Sequence, residues 1–238
     1  MDGFSYNNIF ETKGIEYLVV IAFLVLLIPF WLLLNKKVTL SKHFQKVLGI
    51  LTAKTLKIPQ GVLFSNNHTW AHLGMSGIAQ VGLDDLLMHI TGAVKFSYLR
   101  NPGENIKKGD LLTELDHHGK RLRIFSPVSG EITDTNAVIT DNPELLSKDP
   151  YGKGWMYKVK PAQWNAETNG YYLAEDATNW MGKELERFKD FLSGADSSSS
   201  ESARLVLQDG GELRDHSLSD LPDEVWQSFQ KDFLNPPG

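Results

Sequence analysis

Cysteine is absent from all 238 residues of the chain. That absence excludes disulfides, thiolate zinc sites, cysteine nucleophiles, cysteine-ligated iron–sulfur clusters and covalently attached c-type haem. Redox chemistry would need a borrowed cofactor or a partner. The sequence devices of common enzyme classes are missing too: there is no nucleophile elbow, phosphate loop or dinucleotide fingerprint. Gly74-Met75-Ser76-Gly77 lacks the strand-to-helix setting of a phosphate site. Nothing argues for an enzyme. Acids are absent from residues 36–57, which hold six lysines, whereas residues 167–238 carry fifteen acids against six basic residues. The net charge of −5 therefore conceals a basic collar, a balanced middle and an acidic tail. A uniformly basic nucleic-acid binder would not show that footprint.

Charge is also missing from Tyr17 to Leu34, an apolar run of eighteen residues. Its length predicts a transmembrane helix over 17–35, with Tyr17 and Trp31 towards its ends and Pro29 tolerated within it. A cleaved signal peptide fits less well, because the positive leader and the small-residue cleavage site are missing. Lys36, Lys37, Lys42 and Lys46 follow directly. The positive-inside rule then predicts a single-pass inner-membrane protein with its N-terminus out and its C-terminal bulk in the cytoplasm. Leu40, Phe44, Val47, Leu48 and Leu51 recur at helical spacing among those lysines. This predicts a basic amphipathic helix from Thr39 to Leu56, lying on anionic lipid or packed on the domain that follows.

Residues 59–164 read as short strands separated by turns. Strand candidates are Ala79–Val81, Ala93–Tyr98, Leu111–Leu115, Leu122–Phe125, Gly130–Thr133 and Trp155–Val159. Asn101-Pro102-Gly103, Lys108-Gly109-Asp110 and Pro127-Val128-Ser129-Gly130 are the turns between them, and a short helix is expected from Leu83 to His89. The spacing predicts a small sandwich or barrel.

The same residues carry a family resemblance. His68-Thr69-Trp70, Ile78-Ala79-Gln80-Val81-Gly82-Leu83, Gly103–Gly109 and Ser126-Pro127-Val128-Ser129-Gly130-Glu131-Ile132 occur in order. Asp141-Asn142-Pro143-Glu144-Leu145-Leu146 follows, then Asp149-Pro150-Tyr151-Gly152-Lys153-Gly154-Trp155 and Lys158-Val159-Lys160-Pro161. Over about a hundred residues this resembles the H protein of the glycine cleavage system. The resemblance implies a mainly-β, lipoyl/biotinyl-type barrel-sandwich hybrid with flanking helices, whose exposed hairpin tip normally carries a lipoylated lysine.

That lysine is expected eight positions before the proline of the Pro127 motif, and the count lands on Gly119. The hairpin tip reads His117-His118-Gly119-Lys120, with Lys120 one place late. A one-residue shift reverses the face a strand side chain occupies, and His118-Gly119 makes an ordinary turn. No lipoate is therefore expected; attachment at Lys120 is the alternative. His117 and His118, with His68, His72 or His89, also raise a metal site. Without clustered carboxylates or thiolates, a polar turn is the simpler reading and no metal is expected.

Leu173, Ala177, Trp180, Met181, Leu185, Phe188 and Leu192 predict a C-terminal helix after the barrel. A serine-rich linker (195–203) separates it from an acidic hairpin–helix tail (204–238), in which Asp220 is expected to cap a helix. Val225, Trp226, Phe229 and Phe233 form an apolar stripe there, too small to bury itself. It either folds back on its own domain or docks on another protein, and docking is the favoured expectation. The organisation expected is thus 1–16 extracytoplasmic, 17–35 transmembrane, 36–57 basic and juxtamembrane, 58–194 H-protein-like, then linker and tail. Its expected role is that of a non-lipoylated accessory or scaffolding subunit of a membrane-associated metabolic or redox complex. The alternative is a tethered lipoyl carrier modified at Lys120.

Overall fold

Alternating apolar and polar residues, broken by Gly, Pro and Asx turns, fold residues 63–161 into two antiparallel sheets with one shared core. The computed structural model describes residues 9–35, 50–195, 207–208 and 212–235; side chains are described over 16–31, 51–194 and 213–235. The chain divides into two units, Met1–Phe44 and Gln45–Gly238, and each is taken by itself.

In the first unit, α1 runs from Ile9 to Asn35 with Pro29 inside it. Its described side chains, Glu16 to Trp31, are exposed. Among the described residues no helix is long and apolar enough to cross a membrane. This corrects the expected transmembrane helix over 17–35, and with it the single-pass inner-membrane placement. Lys36, Lys37, Lys42 and Lys46 lie outside the described residues, as does most of the amphipathic helix expected from Thr39. At its described end, Ile50–Leu51 is a strand and not a helix.

The second unit holds the sheets. The larger one contains β2 (Leu63–Phe64), β3 (Thr69–Leu73), β4 (Ala79–Leu83), β10 (Tyr157–Pro161), β9 (Gly130–Thr135) and β6 (Asn105–Ile106), in that spatial order. The smaller one orders β5 (Lys95–Tyr98), β7 (Leu111–His117) and β8 (Lys120–Phe125). Tyr157 ties them together, its hydroxyl donating to the Leu112 carbonyl at 2.6 Å. Trp70, Val81, Leu115, Leu122, Ile132 and Val159 lie in the core they share. Between β4 and β5 comes α2 (Asp85–Thr91), two residues later than expected, because Asp84 caps it by accepting from the Leu87 amide at 2.8 Å.

The Asp141–Pro161 run is structural in detail. Asn136 closes the loop after β9 by donating to the carbonyls of Lys153 and Trp155 at 2.8 and 2.7 Å. The Asp149 carboxylate accepts from the Gly152 and Lys153 amides, which fixes Pro150-Tyr151-Gly152. A short helix, α3 (Ala137–Asp141), leads into this run, and another, α4 (Leu145–Lys148), forms within it. After α5 (Trp164–Thr168), the long α6 (Ala174–Ala195) buries Ala177, Met181, Leu185, Phe188 and Leu192 along one stripe.

The tail also belongs to this unit. β11 (Leu207–Gln208) and β12 (Glu212–Arg214) pair as a hairpin, and β12 pairs on its other side with β1 (Ile50–Leu51). A helix, α7 (Asp223–Phe229), continues into a π-helical turn, Gln230–Leu234. Its N-cap is Pro222 rather than the expected Asp220.

Candidate functional site

The hairpin β7–β8 turns through two residues, His118 at φ 52° and Gly119 at φ 90°, between the paired residues His117 and Lys120. Positive φ at both positions is the geometry of a type I′ turn, whose twist suits antiparallel strands. With the turn placed there, strand period decides which way each side chain points. Leu122 and Ile124 are buried, whereas Arg121 and Arg123 are exposed. Lys120 lies on the parity of Leu122 and Ile124, and His117 on that of Leu115. Only His118 and Gly119 are exposed at the tip.

The face carrying His117 and Lys120 is covered by the chain itself. The Trp226 ring stacks on His117 at 5.5 Å and 14°, and the Lys120 ammonium lies 5.7 Å from the Trp226 ring centroid. Lys120 Nζ donates to the carbonyls of Ser219 at 2.9 Å and Leu221 at 2.6 Å. Further along β8, an edge strand, the Gln230 side chain takes the place of a neighbouring strand. It accepts from the Arg123 amide at 2.6 Å and donates to the Arg123 carbonyl at 3.1 Å. The residues around the hairpin thus do not fit an attached lipoyl group: the amine that would carry it is already held by two carbonyls and an indole.

Residues 215–221 fasten this cover to α2. The amides of His216 and Leu218 donate to the carbonyls of His89 and Ile90 at 2.7 and 3.1 Å, satisfying acceptors that a helix C-terminus leaves free. His89 sits between Asp215 at 2.6 Å and Asp85 at 3.4 Å. Burial alone would lower the His89 pKa, but Asp215 and Asp85 outweigh it and carry it up to about 9.

On the far side, Phe229 and Phe233 pack with Phe188 and Phe191 of α6, at ring separations from 4.8 to 6.2 Å. Phe233 reaches the His68 ring at 6.2 Å, and Trp180 flanks the same ring at 5.4 Å. His68 is fully enclosed, with Nδ1 2.7 Å from Asp84 and Nε2 3.7 Å from Glu184. Burial pushes this imidazole down, yet the Asp84 charge and hydrogen bond, helped by Glu184, raise its pKa to about 9. Burial pushes Glu184 up; His68 and Arg187 more than reverse it, holding the carboxyl below its usual range.

Val225, Trp226, Phe229 and Phe233, expected to favour docking on another protein, are buried in the chain's own core. The stripe finds Phe188, Phe191 and the hairpin face, so the fold-back outcome is the one realised. The histidines do not converge either. His117 faces Ala93 O and Trp226, His72 faces Gly61 O, and His68 and His89 are engaged by separate carboxylates. Among the described residues no three His, Asp or Glu side chains gather where a metal ion could sit. Sequence reading missed Gln230, Asp215 and the Ser219 and Leu221 carbonyls. Only the amphipathic stripe of α7 hinted that something would lie on the hairpin.

Comparison with known proteins supplies the lineage. The family model for the glycine cleavage H-protein matches residues 62–184. A glycine cleavage system H protein of Bacteroides fragilis is 35% identical over 107 residues, covering 45% of this chain and 84% of the relative. A probable glycine cleavage system H protein of Thermococcus gammatolerans is 32% identical over 125 residues, covering 52% and 92%. The crystal structure of a glycine cleavage system H protein from Mycobacterium marinum is 25% identical, with a TM-score of 0.44, and covers 53% of this chain and 98% of that one. The chain belongs to the glycine cleavage H-protein family.

Proposed function

We propose that this chain is a non-lipoylated member of its family that serves as an accessory or scaffolding subunit of a larger protein assembly. The observation that carries the reading is the engagement of Lys120 by Ser219 O, Leu221 O and the Trp226 ring. No other lysine lies between Leu111 and Phe125. A carrier needs an amine that projects from the hairpin, and this one lies along its covered face. Family membership makes the chain a non-enzyme, and the relatives are named as parts of a glycine cleavage system, which supports protein partners. Retention of a fold after loss of its chemistry follows the general rule that function lives in sites grafted on folds.

Intact-mass measurement of the chain co-expressed with lipoyl-attaching enzymes tests this. The unmodified mass is expected. One lipoyl adduct, lost in Lys120→Arg, would overturn the reading and establish the alternative, a lipoyl carrier modified at Lys120, which family membership itself favours. The subunit role is tested by gentle purification from the native source with partners identified; recovery of the chain alone under several conditions counts against it.

A further inference from the structure

The hairpin register and the cover over it are separate reasons for Lys120 to be unreactive, and they make different predictions. Register alone would leave the amine on the wrong face yet wet, since Lys120 is the first residue after an exposed turn and long side chains reach round an edge. In the structure the amine meets carbonyls and an indole from a segment about a hundred positions away in the chain.

We propose that residues 213–235 act as an intramolecular occupant of the hairpin face, so that the chain's own C-terminal segment withdraws Lys120 from acylation. Three independent attachments hold that occupant in register with the hairpin. Gln230 pairs with both backbone groups of Arg123 and so supplies the missing neighbour of an edge strand. Trp226 lies over the His117–Lys120 pair, its own Nε1 donating to Leu218 O at 2.8 Å. Residues 215–218 are fixed to the end of α2 by two backbone hydrogen bonds and the His89–Asp215 pair. Lys120 itself closes the arrangement, because its ammonium satisfies the Ser219 and Leu221 carbonyls just ahead of α7. The lysine has become a pin for the segment that hides it. This deepens the proposed non-carrier reading by naming what removes the amine, and the two can fail separately.

The test is a reactivity map of the folded, lipoate-free full chain. A small amine-acylating ester is applied under native conditions, and each lysine's rate is read by peptide mass spectrometry. Lys153 and Lys160, both exposed, serve as internal references. Lys120 is expected to react at least about tenfold more slowly than they do, since its charged hydrogen bonds must open first. In Gln230→Ala and in Trp226→Ala the Lys120 rate is expected to rise several-fold while Lys153 stays unchanged. Gln230→Ala removes no core ring, so it keeps the test alive should Trp226→Ala fail to fold. A wild-type Lys120 that reacts as fast as Lys153 overturns the inference. So does a Lys120 rate that stays low in every variant that folds, which would return the cause to the register. A lipoyl adduct in the co-expression experiment would instead overturn the non-carrier reading and leave the reactivity map to be judged by itself.

Discussion

At the scale of single residues, His68 shows how a buried charge is supported. Its folded pKa of about 9 lies above the unfolded value of about 6.5. A raised pKa stabilises the fold where the histidine is protonated, so the contribution is complete below about pH 6.5 and lost as pH rises through about 9. His89 acts in the same window and with the same sign. The urea midpoint is therefore expected to fall between pH 6.5 and 9 and to fall less in His68→Gln. An unchanged slope in that variant would remove His68 from the account. Glycines divide at this scale as well. At Gly119 a Cβ would touch nothing within 4 Å, so Gly119→Ala should cost about 1 kcal/mol from its positive φ alone. At Gly82 the Cβ would lie 2.6 Å from the Trp70 ring, which is fixed by its own hydrogen bond to Leu83 O. Gly82→Ala should then cost roughly 1–3 kcal/mol by overpacking. Denaturant titration of both variants checks the order.

At the scale of elements, legibility followed the range of the interactions. The strands were readable because alternation and turn residues are local signals. Even the orientation of Lys120 follows from sequence once the His118-Gly119 turn is placed, since period two settles the rest. The boundary of α2 shifted because its cap is Asp84, an acid that the apolar pattern does not register. The partner of α7 was not readable. An amphipathic stripe states that something must cover it and is silent about what, so Phe188, Phe191 and the hairpin face were hidden choices. Ile50–Leu51 was misread as helical for a similar reason: its partner, β12, lies more than 160 positions away. If α7 and its π-helical turn are core elements, Phe233→Ala should destabilise the chain by roughly 3–5 kcal/mol, as aromatic truncations in cores do. A loss under about 1 kcal/mol would mean that the Phe188–Phe233 packing is not maintained in solution.

At the scale of the second unit, the question is whether the C-terminal segment folds with the barrel or rests on it. The two share one apolar cluster, in which Trp226, Phe229 and Leu234 are as fully buried as Trp70 and Tyr157. They also share polar fastenings at β1–β12, at Arg123–Gln230 and at His89–Asp215. Opening the segment alone would expose three large aromatic rings and leave Lys120 and the carbonyls at the end of α2 without their partners. Exposure of a large apolar side chain costs about 1.5–3 kcal/mol each, so separate opening should be a rare event close in free energy to global unfolding. Peptide-resolved hydrogen exchange is the measurement: amides in 223–234 should be protected to nearly the same degree as those of β4 and β10. The Gln230→Ala substitution should lower the protection of 223–234 while leaving β4 and β10 little changed, because it removes a fastening and no part of the barrel core. Free exchange across 223–234 in the wild-type chain, beside fully protected strands, would make the segment a loose cover. Lys120 would then be accessible for part of the time, and acylation would report the open fraction rather than the fold.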